Sequence, residues 1–211
     1  MRGRRVLRIG GIASGALVIA FGVVVVVLSI NGKNTVQDEL TRQQITGTPD
    51  MTPKAIEAET AKAGINVDLP TCDVAGESID TGSEARCFAR YMEVQALVAT
   101  GGYTYAQMGT YTPRPNAPKS HLEPGGGTNA VDFAQIDPET GKPEQNPRRQ
   151  VWVTETALAT ALNVSYTATQ LSLFSLVVGI ALVLCGIGFL VLAIAGSPVR
   201  AREPVPPRRN P

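Results

Sequence analysis

The chain is poor in the side chains that catalytic and metal chemistry needs. It has one histidine, His121, three cysteines and one tryptophan in 211 residues. A single histidine excludes a two-histidine-one-carboxylate iron site and any multi-histidine zinc site built from this chain alone. Charge is missing in two long stretches. No Asp, Glu, Lys, Arg or His falls between Ile9 and Gly32, or between Thr156 and Val199. Neither stretch therefore offers a proton relay or an ion site. Gly125-Gly126-Gly127 is not followed by Gly-Lys-Ser/Thr and has no strand–helix context, so it reads as linker rather than phosphate cradle. There is no G-x-S-x-G elbow. Acid pairs such as Asp38-Glu39 read as solvated faces, and His121 as a solvated loop residue. No catalytic, cofactor-binding or metal residue is expected, and neither a nucleic-acid partner nor a small-molecule substrate is identified.

What the uncharged stretches do hold is apolar. The runs Ile9–Ile30 and Leu171–Gly196 are each long enough to cross a bilayer as a helix. The overall charge of +1 hides a segregation. Arg2, Arg4, Arg5 and Arg8 precede the first run with no acid; Arg200, Arg202, Arg208 and Arg209 follow the second against Glu203 alone. Between the runs, 11 basic side chains face 17 acidic ones. Short Arg-rich flanks stay cytoplasmic. The expectation is a plasma-membrane protein with both termini cytoplasmic and the central segment extracytoplasmic. The first run exceeds the 7–15 residues of a signal-peptide core and no A-x-A-like site follows it, so it reads as an uncleaved anchor.

Cys72 and Cys87 lie in the exported segment, where an oxidising compartment favours a disulfide; a metal site would need more ligands than two thiols. Cys185 lies within the second run and reads as a small packing residue. For helix packing, Gly11 and Gly15 form a GxxxG pair, while Ser175, Gly179 and Gly186, with nearby Gly188, offer a smooth face on the second run. Antiparallel order makes Gly186 and Gly188 the expected neighbours of the Gly15 region.

The expected organisation is a basic cytoplasmic N-terminus (1–8), a first transmembrane helix (9–30), an extracytoplasmic helical segment (31–109), a flexible Pro/Gly-rich loop (110–150), an extracytoplasmic helix continuing into the membrane (151–170), a second transmembrane helix (171–196) and a basic Pro-rich cytoplasmic tail (197–211). Within 31–109, Val36 and Leu40 mark a short helix after Asn31-Gly32. Thr52, Pro53 and Gly64 punctuate a second helix, as N-cap, first residue and stop. Thr81 and Glu84 form a capping box for a third, with Phe88, Tyr91, Met92 and Gln95 on one face and Gly101-Gly102 at its end. Seven prolines between Thr110 and Gln150 and little apolar area predict flexibility there. Leu158, Leu162 and Tyr166, with Val151 before them, form the stripe of the helix that enters the second span.

Two blocks are familiar: ALVATGGYTYAQMG at 96–109, and the helix from Glu155 through Gly196. With the Arg-flanked first span they resemble a group of small two-span actinobacterial membrane proteins often labelled aromatic ring-opening dioxygenases. The resemblance implies topology and helical architecture and carries no catalytic residue onto this sequence; extradiol cleavage needs an iron site whose ligands this chain lacks. The expected fold is an all-α membrane protein, a two-helix transmembrane hairpin with a small, mostly helical extracytoplasmic domain and a long disordered loop. The expected function is non-enzymatic, a cell-envelope protein presenting that domain to a partner, with the bilayer and a protein partner or self-association as its contacts. The alternative is a small oligomeric channel or an accessory subunit of a transporter.

Overall fold

The structure is a computed structural model that describes residues 2–195 and, within them, the side chains of residue 6 and of residues 8–195. The tail expected over 197–211, the last residue of the second span, Gly196, and most of the N-terminal arginines' side chains lie outside the described residues. Among the described residues the fold is helical, with no strand: α1 (Arg2–Gln43), α2 (Pro53–Ala63), α3 (Gly82–Ala99) and α4 (Pro147–Ala195), with three short 3-10 turns between α3 and α4. The chain forms two compact units, one from α1 through Asn31 and α4 from Ser172, the other from Gly32–Leu171.

In the first unit, α1 and α4 hold helices long and apolar enough to cross a membrane. Only 11% of each apolar window is buried, whereas the core helix of a water-soluble domain would be mostly covered. Leu17, Phe21, Leu184 and Leu192 all point away from the protein. What is covered is a narrow seam of small residues, with the helices antiparallel. Gly11 lies against Ala193, Gly15 against the Gly186 carbonyl and Gly22 against the Gly179 carbonyl. At the next level the Ser29 hydroxyl donates to the Ser172 carbonyl. Thus Gly15, Gly22 and Ser29 repeat every seven residues on α1, as do Ser172, Gly179, Gly186 and Ala193 on α4. A seven-residue repeat keeps one stripe facing a left-handed partner, where a four-residue pair would serve a right-handed crossing.

Several packing expectations change accordingly. Gly188 has no neighbour within 4 Å of where a Cβ would stand and takes no part in the seam, because it sits two positions, about 200° around the helix, from Gly186. Ser175 is half-buried. Cys185, expected to pack, is exposed on the outer face of α4. The short helix expected after Asn31-Gly32 is continuous with the first span, and α1 runs through to Gln43. A helical glycine costs only about 1 kcal/mol relative to alanine, and the turns beyond Gly32 are anchored by Leu40, which is buried in the core of the second unit.

That core gathers Leu40, Ile56, Phe88, Tyr91, Val94, Ala159 and Leu162, with Val36 and Leu158 packed at its edge. Local chemistry sets the helices around it. Thr52 caps α2 by accepting from the Ala55 amide, Pro53 opens it, and Gly64 closes it at φ 67°. Thr81 and Glu84 exchange the two bonds of a capping box at the start of α3. Cys72 and Cys87 are joined by a disulfide with a Cα–Cα distance of 6.2 Å. The Tyr91 hydroxyl donates to the Cys72 carbonyl at 2.6 Å, so the loop before α3 is tied down both covalently and by a buried phenol.

In place of the flexible loop expected over 110–150, the chain forms a mat of paired backbone. Tyr111 and Thr128 exchange both amide bonds, at 3.0 and 2.9 Å. Gln135 donates to the Thr112 carbonyl and accepts from the Glu144 amide, both at 2.8 Å. Pro113 and Pro143 sit in isolated bridges, where they lack the amide that would extend a ladder. Hydrogen bonds hold this segment around the buried Thr128 and Asn146, with Ala134 its buried apolar side chain. Gly127 illustrates the tightness: its φ is +85°, and a Cβ on it would stand 2.5 Å from the Asn146 amide nitrogen.

Candidate functional site

The ATGG block closes α3 and docks it to the start of α4. Gly101 and Gly102 both take positive φ, which glycine adopts without strain, and their amides return to the Val98 and Leu97 carbonyls. Thr100 is fully buried, its hydroxyl 2.7 Å from the Ala96 carbonyl and 2.6 Å from that of Tyr103. Asn146 caps α4 by accepting from the Arg148 amide at 3.1 Å, with Pro147 as first helical residue. From the first turns of α4, the Trp152 indole donates to the Tyr103 carbonyl at 2.9 Å. Arg148 donates to the carbonyls of Gly125 and Thr100, and Arg149 to the Thr110 hydroxyl while its guanidinium lies 3.9 Å from the centre of the Tyr105 ring. The segment is therefore a structural clasp that fixes α3 against α4.

Beside the clasp a groove of about 540 Å³, open to one side, lies between residues of the two helices. Met92, Ala96 and Ala99 of α3 form one wall, and Val151, Thr154 and Glu155 of α4 the other. Gln95 and Gln150 stand at its rim, and the Gln95 amide donates to Asp50 at 2.7 Å. The walls are chiefly apolar. The one ionisable side chain among them is Glu155.

Glu155 is only 7% exposed. Burial pushes its carboxyl above the ordinary carboxylate range; a hydrogen bond from Thr156 opposes that shift and the charge of Glu93 adds to it. The Thr156 hydroxyl donates at 3.2 Å, and among the described residues no basic side chain reaches ion-pair distance. The nearby Arg90 is already committed, to Glu93 at 3.0 Å and to the Asp68 carbonyl. A buried carboxylate with no cation is costly to ionise, and this one lines a groove.

The sequence reading did not single out Glu155. It followed Val151, Leu158, Leu162 and Tyr166, whereas the buried stripe of α4 is Trp152, Glu155, Ala159 and Leu162. Those four positions recur at steps of three, four and three, so an acid on the buried side of this helix was visible in the spacing. The expected face of α3 divides: Phe88 and Tyr91 enter the core, while Met92 and Gln95 line or rim the groove.

The remaining residues considered for chemistry stand apart. His121 is on the surface in the 3-10 turn Lys119–His121, its ring 4.3 Å from that of Phe133. Among the described residues no three His, Cys, Asp or Glu side chains are grouped as a metal site would require. The chain matches no family model, no curated protein and no solved structure.

Proposed function

We propose that this is a cell-envelope protein of the plasma membrane, anchored as a two-helix hairpin with both termini in the cytoplasm, whose disulfide-pinned extracytoplasmic domain binds a protein partner and performs no catalysis itself. The observation that carries the reading is the placement of the Cys72–Cys87 disulfide in the segment between two lipid-compatible helices. Disulfides persist on the oxidising side of a membrane, and the arginines at both ends favour the opposite side for the termini. The seam supports an anchoring role for the spans. Their small faces are occupied by each other, and the outward faces are apolar surface suited to lipid.

The test is crosslinking in intact cells followed by extraction of the full chain in detergent. A discrete heterologous adduct formed through the domain is the expected result. A ladder of homomeric adducts and nothing else would replace this reading with the oligomeric channel.

A further inference from the structure

The α3–α4 groove joins an apolar lining to a poorly solvated acid. Met92, Ala96, Ala99 and Val151 make its walls mostly apolar, and among them stands Glu155, a residue more than nine-tenths buried with no cation at ion-pair distance among the described residues. Holding the ionised form there costs free energy, which an opposite charge at close range offsets. The surroundings sharpen the demand, since the charge of Glu93 also bears on Glu155 and Arg90 is paired with Glu93. The exported segment as a whole is acidic, with 17 acids against 11 bases, so a basic partner is also attracted at long range.

We propose that this groove receives an apolar segment of a partner polypeptide that carries one lysine or arginine, whose charge meets the Glu155 carboxylate. The inference rests on the partner-binding reading above and names the chemistry of that partner. Groove shape favours a polypeptide over a small molecule. Small-molecule sites enclose most of the ligand, whereas this cleft lies open along two helices, as grooves that receive an amphipathic helix do. Met92 is an unbranched side chain that adapts to different apolar residues. Gln150 at the rim and Thr154 in the α4 wall offer amide and hydroxyl groups to the polar edge of an incoming helix. A single carboxylate selects one cation and thereby sets the register of the segment along the groove.

The test uses the full chain in nanodiscs of phosphatidylcholine and a fluorescent, amidated leucine–alanine helix of about 12 residues, roughly 18 Å long, with one lysine at the centre of its apolar face. Matched peptides carry glutamate or norleucine in place of the lysine, and empty nanodiscs correct for binding to lipid. The lysine peptide is expected to bind at least about tenfold more tightly than the glutamate peptide. That preference should collapse in Glu155→Gln and reverse in Glu155→Lys. Ala99→Phe, at an exposed position that fills the groove, should weaken all three peptides together. Equal binding of lysine and glutamate peptides, a preference retained in Glu155→Gln, or no binding beyond that of empty discs would each overturn the proposal. None of these outcomes bears on whether cells contain a heterologous partner, so the partner-binding reading stands or falls separately on its crosslinks.

Discussion

The seam between the two apolar helices makes a sharp claim about neighbouring glycines. In Gly186→Ala, the added Cβ would stand 2.8 Å from the Gly15 carbonyl oxygen, 3.0 Å from the Ile19 amide nitrogen and 2.6 Å from Ile19 Cγ1. The side-chain atom can rotate away, but the two backbone atoms cannot. Ordinary contact begins near 3.4 Å, so the helices must part by about 0.6 Å at this level. A gap of that size forfeits roughly a third of each atom pair's attraction, itself about 0.15 kcal/mol. Over some 20 pairs in the adjoining levels the loss is about 1 kcal/mol, at the low end of what overpacking costs in protein cores. Gly188→Ala, two residues along the same helix, adds a methyl with nothing within 4 Å. It should be neutral, or stabilising by about 0.5 kcal/mol through reduced backbone freedom. SDS-driven unfolding of the full chain, followed by energy transfer between dyes on the two helices, reads both variants against the parent. Equal effects of the two substitutions would refute the seam, as would destabilisation by Gly188→Ala alone.

Three further outcomes follow from the second unit. Cys72→Ser opens a loop with a sequence separation of 15, and should destabilise the domain by about 3 kcal/mol in chemical denaturation, the entropy of closing such a loop. Trp152→Ala removes a buried indole and its bond to the Tyr103 carbonyl, and should cost about 3–5 kcal/mol; hydrogen exchange should quicken first at the amides of Gly101 and Gly102. Glu155→Gln should change the dependence of stability on pH. Because the folded carboxyl holds its proton to higher pH than the unfolded one, the parent protein loses stability as pH rises from about 4.3 until the folded group ionises, then levels off. The glutamine variant should lack that decline and be the more stable protein at neutral pH, and parallel profiles for the two would contradict the burial of this group.

The parts of the fold legible in the sequence are those whose cause is local. Thr52, Pro53 and Gly64 bound α2, and Thr81 with Glu84 starts α3, because a cap is settled by residues three or four apart. The apolar runs and the Cys72–Cys87 pair are equally direct. The seam was only half visible. Gly11 and Gly15 stand out as a motif, whereas Gly22, Ser29, Ser172 and Ala193 are isolated small residues whose common period emerges only when two helices 143 residues apart are aligned. Composition misjudged 110–150 for a different reason. Backbone pairing such as that of Tyr111 with Thr128 leaves no mark on hydropathy. Glu155 was obscured by its leucine neighbours: Leu158 and Leu162 suggested a stripe turned toward Val151 and Tyr166, while the buried face ran through the acid.

Sidedness is the point on which the proposed function most depends. It can be measured by replacing the exposed Cys185 with alanine and introducing a single cysteine at Thr110 or at Asn210. Intact cells are then treated with a membrane-impermeant maleimide. Labelling at position 110 with none at position 210 until the cells are opened is the result expected of an extracytoplasmic domain held by a hairpin with both ends inside. Strong labelling at 210 in intact cells, or protection at 110, would contradict it.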